Sequence, residues 1–207
     1  MKYGFLPRLM WTGCKNNFRK ELTNSLKEAN PSRIMKLAHK KYKEIILGVT
    51  SFDKGDRFVI NILSAAMLSS ILLVTEHKYS LEEVKKYYSS SMCNNPLIKI
   101  VCKKSKSYTV KGREKLKQSA SRSQNNKNPY SWKFEVKDGN NINRYSAIFY
   151  SCGICYLMNN LGLSEYIPAL CSFDYDMARM NNTKFTREYT LASGGPYCDC
   201  NYDHKGK

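Results

Sequence analysis

Residues 58–74 read FVINILSAAMLSSILLV, a run without one charged side chain, and no other feature limits the possible folds so strongly. A segment apolar on all sides is either a membrane span or a helix enclosed by protein. Its length approaches that of a bilayer crossing, but Asn61, Ser64, Ser69 and Ser70 interrupt it and no second such run exists. It is read as a buried core helix, and no membrane is expected as a partner.

A chain of 207 residues can build one domain with a sizeable core, or a core with a helical appendage, but not two large independent domains. Its hydrophobic content of 42% is that of a folding chain, despite 34 Lys and Arg against 17 Asp and Glu. The opening residues MKYGFLPRLMWTG hold neither an uninterrupted apolar core nor a small-residue cleavage site, which argues against a secretory signal and for the cytoplasm. In that compartment the eight cysteines are expected to serve as reduced thiols, metal ligands or catalytic groups.

Charge divides the chain in three. Residues 1–98 carry 16 basic and 8 acidic side chains, residues 99–127 carry 10 and 1, and residues 128–207 carry 8 and 8. The neutral last part holds Cys152, Cys155, Cys171, Cys198 and Cys200, so chemistry is most economically placed there. Residues 1–30 are set apart as an N-terminal extension. Residues 31–207 are read as a single domain with a basic polar segment at 99–128.

Helical spacing of Ile34, Leu37, Ala38, Tyr42, Ile45 and Ile46, ahead of Gly48, predicts a helix after Pro31. Ser80 and Glu83 fit a capping box that starts another. A short apolar piece at 97–102 precedes a polar segment that grades from a helix into an Asn- and Ser-rich linker. Residues 130–136 and 143–150 alternate around the Asp138-Gly139 turn and predict a hairpin. Helices at 153–161 and 164–174 follow, then strands at 185–191 and 198–202. This order predicts an α+β fold, an N-terminal helical half packed on a small antiparallel sheet with helices inserted between the strands.

Cys152 and Cys155 have the CxxC spacing, which lets two thiolates share a metal or lets one thiol lower the other's pKa. With Cys171 and Cys198 they form an alternative zinc or iron–sulfur ligand set, against a primary expectation of no metal and no cofactor. His39, His77 and His204 are too scattered to pair with a nucleophile. Asp174 lies three residues after Cys171 and Asp199 directly after Cys198, where a carboxylate can orient water or shuttle a proton. The plainer readings are turn or cap residues and a strand-edge charge. Arg187, within the strand-like FTREYTL, is either an edge charge or an inward carboxylate clamp.

The ordered set Cys155, Pro168-Ala-Leu-Cys171, Phe173-Asp174-Tyr175, Phe185-Thr-Arg187, Thr190-Leu-Ala-Ser-Gly194-Gly195 and Cys198-Asp199 resembles the C-terminal signature of the L-2-amino-thiazoline-4-carboxylic acid hydrolase family. That pattern runs as a helix with a cysteine, P-x-L-C-x-x-D, R-x-x-T-L-A-x-G-G and a closing C-D. The likeness covers most of residues 55–202, its specific motifs lie within 152–200, and it departs where Cys200 replaces an aromatic residue. The resemblance implies hydrolysis of a small-molecule cyclic amidine: water adds to the ring carbon between nitrogen and sulfur, and sulfur leaves to give an N-carbamoyl amino acid. It implies catalytic roles for Cys171, Asp174, Cys198 and Asp199, with Arg187, Thr190, Gly194 and Gly195 binding substrate.

Two other functions compete. Ten basic residues in 99–127, with Tyr108 and Tyr130 as stacking platforms, suit a nucleic acid or other polyanion, although no RNA-recognition, helix-turn-helix or zinc-finger pattern is present. The alternative within the family is an inactive relative that keeps the fold and binds a small molecule.

Overall fold

In a computed structural model that describes residues 1–103 and 105–206, the apolar run forms α3 (Val59–Val74), with residues 62–72 all buried. Two of its serines return their hydroxyls to the helix, Ser64 donating to the Asn61 carbonyl at 2.9 Å and Ser70 to that of Met67 at 2.7 Å, whereas the buried Ser69 hydroxyl has no partner. Among the described residues no helix is long and apolar enough to cross a membrane.

Three further helices share the core of α3. Residues 1–30 carry α1 (Phe5–Asn24), whose Trp11, Cys14, Phe18 and Leu22 are buried in the same core as α3. The second, α2 (Pro31–Gly48), starts as its sequence predicts, with Asn30 accepting from the Arg33 amide and Pro31 in the first turn. In α4 (Leu81–Cys93) both halves of the capping box form: Ser80 accepts from the Glu83 amide, and the Glu83 carboxylate accepts from that of Ser80.

The basic segment folds as α5 (Pro96–Lys103) and α6 (Val110–Gln124). In α6 Arg113, Leu116, Ala120 and Ser123 recur at three- and four-residue spacing and are buried against the sheet. Arg113, 4% exposed, donates to Asp138 at 2.9 Å and to the carbonyls of Ser107, Ile142 and Arg144, and its guanidinium lies 4.2 Å from the Tyr145 ring centre. Part of this segment's charge therefore serves the fold.

The sheet contains β1 (Phe134–Asp138), β2 (Arg144–Phe149), β3 (Thr183–Thr186) and β4 (Cys198–His204), antiparallel throughout in the order β1-β2-β4-β3. Between β2 and β3 the chain makes α7 (Gly153–Asn160) and α8 (Ile167–Met180). The α+β architecture with helices inserted between strands is as the sequence order predicts.

Two strand boundaries differ from expectation by more than two residues. The first strand begins at Phe134 because the Asn128 side chain accepts from the Tyr130 amide and turns the chain there. The third ends at Thr186, short of the expected Leu191. Asp199 accepts from the Glu188 and Tyr189 amides, Thr190 caps a 3-10 turn (Leu191–Ser193), and Gly194 ends that turn at φ 79°.

Strand pairing sets what faces the helices. Phe149 lies opposite Cys198, Ala147 opposite Cys200, and Tyr202 opposite both Tyr145 and Phe185. Successive side chains alternate between faces, so Cys198, Cys200 and Tyr202 form one inward row while Asp199, Asn201 and Asp203 point the other way.

Candidate active site

Thr183 and Phe185 face inward on β3, and Arg187 continues that alternation just beyond the strand end. Its side chain is 7% exposed, and the guanidinium donates to Asp174 at 2.9 Å and to the Cys171 carbonyl at 3.2 Å and lies 5.7 and 5.5 Å from the centres of the Tyr175 and Phe185 rings. Of the two sequence readings of Arg187, the inward carboxylate clamp is the one adopted, and the carboxylate is the protein's own. On α8, Cys171, Asp174, Tyr175 and Ala178 occur at helical spacing; Tyr175 packs on Phe185 of β3, and Ala178 joins the core beneath the sheet.

Three thiols border this ion pair. Cys200 is 3% exposed, and Cys171 and Cys198 are half-buried; all three lie close enough to Asp174 and Arg187 to feel their charges. Cys152, the cap residue of α7, lies near Cys155, Cys171 and Cys198. All eight cysteines are unpaired thiols.

Burial dominates the electrostatics. It pushes the Asp174 carboxyl up to about 6, against the pull of Arg187 beside it, so this acid changes charge close to neutrality. Burial, then the negative charge of Asp174, push the Cys171 thiol up to about 12. The Cys200 thiol is raised in the same way. Cys198 is also raised by burial, but the Leu191 amide donates to its sulfur at 3.2 Å and Arg187 opposes the rise. Among these sulfurs Cys198 combines a backbone donor with a nearby cation, the two features that favour a thiolate.

The other expected site residues shape the loop between β3 and β4. Asp199 lies on the opposite face of β4 from Cys198 and holds the Glu188 and Tyr189 amides. Adjacency in sequence does not give the two a common environment. The Thr190 hydroxyl is engaged with Ser193, and the Gly194 and Gly195 amides donate to the Leu191 and Thr190 carbonyls. A side chain on Gly195 would approach the Thr190 carbonyl oxygen to 2.9 Å, so a glycine keeps this turn tight. The turn carries the Leu191 amide to Cys198.

Cys200 is a member of the cluster that its place in the sequence signals only through alternation with Cys198. The sequence reading also gives no hint of a cavity of about 440 Å³ in which Cys152 is joined by Lys127, Trp132, Lys133, Tyr156 and Asn159. Cys152 is therefore shared by this cavity and the thiol cluster. Among the described residues no three His, Cys, Asp or Glu side chains are gathered as ligands for a metal ion.

The aromatic platforms of the polyanion reading are engaged within the fold. Tyr108 stacks on His204 with ring centres 4.4 Å apart, and Tyr130 packs edge-on against Tyr156 at 5.0 Å.

Neither the curated proteins nor the solved structures include a significant match. A family model described as L-2-amino-thiazoline-4-carboxylic acid hydrolase matches residues 60–202, from α3 to β4. The matched segment is more than half of the chain and contains the whole thiol and carboxylate cluster, and so the protein belongs to the L-2-amino-thiazoline-4-carboxylic acid hydrolase family.

Proposed function

We propose that the protein is a hydrolase that opens a cyclic amidine of the 2-amino-thiazoline-carboxylate type, with Cys198 as nucleophile and Asp174 as proton shuttle. The observation that supports this reading most is the convergence of Asp174, Arg187 and Cys198 on the inner face of the sheet, within the segment that matches the family.

Ionised Asp174 takes the Cys198 proton, and the thiolate adds to the ring carbon between nitrogen and sulfur. The carbon–sulfur bond breaks, and the leaving sulfur receives that proton. Water then adds to the enzyme-bound carbon and displaces Cys198, so the net change is addition of one water to give an N-carbamoyl amino acid with a free thiol. Cys171 lines the reacting centre as a neutral thiol.

Arg187 is a positioning residue: it holds the Asp174 carboxylate instead of the substrate carboxylate, which its enclosed guanidinium does not face. Asp199, Thr190, Gly194 and Gly195 support the loop that presents the Leu191 amide to Cys198. Lys127 and Lys133, in the cavity next to Cys152, supply cations for the substrate carboxylate.

The test is incubation with 2-amino-thiazoline-4-carboxylate, following thiol release with a chromogenic disulfide and the gain of one water by mass. Wild type should release thiol, and Cys198→Ala and Asp174→Asn should each lose roughly a hundredfold or more in rate. No turnover by wild type, or parental rates in both variants, would overturn the proposal.

A further inference from the structure

α5 is oriented against the usual rule. Its inward side carries Ile98, packed on the helical core, and half-buried Cys102, while Leu97, Ile100 and Val101 are 57%, 49% and 70% exposed. The apolar face continues onto α1. The Leu97 side chain lies 3.5 Å from where a Cβ on Gly13 would stand, and Leu9, 50% exposed, is one helical turn from Gly13. Single exposed apolar residues are ordinary, but neighbours shared between two helices make a patch.

The rim of this patch has one sign of charge. Lys99 and Lys103 on α5 itself are exposed, and among the described residues neither is in an ion pair. The sequence contains no Asp or Glu between Glu83 and Glu114. A second copy docked through this face would set the lysines of one α5 against those of the other, with no acid on either helix to pair them. A flat anionic surface with an apolar interior satisfies both the lysines and the exposed leucine, isoleucine and valine.

We propose that α5 and the adjoining surface of α1 form a docking face for an anionic lipid bilayer, with Leu97, Ile100 and Val101 entering the headgroup boundary and the lysines engaging lipid phosphates and carboxylates. The helix has eight residues, enough to lie on a bilayer and too few to cross one. This association is independent of the hydrolase reading, since it uses none of the cluster residues.

Flotation of the full chain with vesicles tests it, using phosphatidylcholine alone and phosphatidylcholine with about 30 mol% phosphatidylserine. The protein should float with the mixed vesicles and not with the neutral ones, and about 0.5 M salt should weaken binding without abolishing it, because the apolar part is not screened. Ile100→Glu combined with Val101→Glu should reduce vesicle binding roughly tenfold or more, with the far-ultraviolet circular dichroism and thiol-release rate of wild type. The proposal is overturned if wild type fails to float with the anionic vesicles, or if the double variant binds them as wild type does. It is also overturned if the patch instead mediates self-association, seen as a dimer in solution that the double variant dissolves while vesicle binding is absent. Retention on a polyanion such as heparin without vesicle binding has the same consequence.

Discussion

Arg187 Nη1 donates to Asp174 Oδ2 at 2.9 Å, joining the end of β3 to α8 under the sheet. Arg187 supplies the cation that a carboxylate in this place requires, yet burial still raises Asp174 to about 6. The pair is thus balanced close to the pH at which a proton shuttle is most effective.

In the proposed mechanism the shuttle starts from the ionised form of Asp174, so hydrolysis should fall as pH drops below about 6 in wild type. Arg187→Met removes the charge that favours the carboxylate and should move this acid limb upward by roughly one unit or more. A rate profile from acid to weakly alkaline pH measures it. An unmoved limb would separate Arg187 from Asp174 in function.

The same carboxyl should leave a signature in stability. Its folded pKa is raised from 3.8 to about 6, so the folded state binds the proton more tightly than the unfolded chain does. The resulting stabilisation is complete below the unfolded pKa and is lost as pH rises through the folded value. Relative to Asp174→Asn, wild type should therefore lose stability between about pH 4 and 6 and run parallel above that. The full shift corresponds to about 3 kcal/mol, and because the side chain is 31% exposed, solvent screening should reduce the observed change to roughly 1–2 kcal/mol. Urea denaturation of both proteins over this range is the measurement.

Arg113 and Lys117 share Asp138 but differ in burial, with side-chain exposures of 5% and 47%. Arg113→Met also strips hydrogen bonds from three backbone carbonyls and removes the cation over Tyr145, and should cost about 2–3 kcal/mol. Lys117→Met should cost less than about 1 kcal/mol. Equal losses in chemical denaturation would show that burial does not govern this pair.

Gly153 places Cys152. A Cβ there would stand 2.0 Å from the Tyr130 carbonyl oxygen, a backbone atom that cannot step aside like the end of a long side chain. Gly153→Ala should separate the start of α7 from residues 130–132, at a cost of roughly 2–4 kcal/mol, and disturb the wall shared by the cavity and the thiol cluster. Thermal denaturation with tryptophan fluorescence should report both effects, since Trp132 lines the cavity and lies 3.0 Å from the same hypothetical Cβ.

Local physics made much of the architecture readable in advance. The uncharged run at 58–74, too polar at Asn61 and its serines for a bilayer, reads as a core helix, and residues 62–72 are buried. Ser80 and Glu83 start α4 through contacts three residues apart, and Asp138-Gly139 joins two strands within one hairpin. Alternation along Cys198, Asp199 and Cys200 already separates the sulfurs from the carboxylate between them.

Assembly decided the rest. Arg187 could have been a solvated edge charge until α8 brought Asp174 beneath it, and Cys152 gained its neighbours only when the start of α7 was set against residues 130–132. α5 shows the converse, since its apolar residues look like core in one dimension and face outward once Ile98 and Cys102 take the inner side. Turns, caps and periodicity are governed by neighbours within a few residues, whereas the environment of a charge or thiol is set by elements that meet only when the core closes.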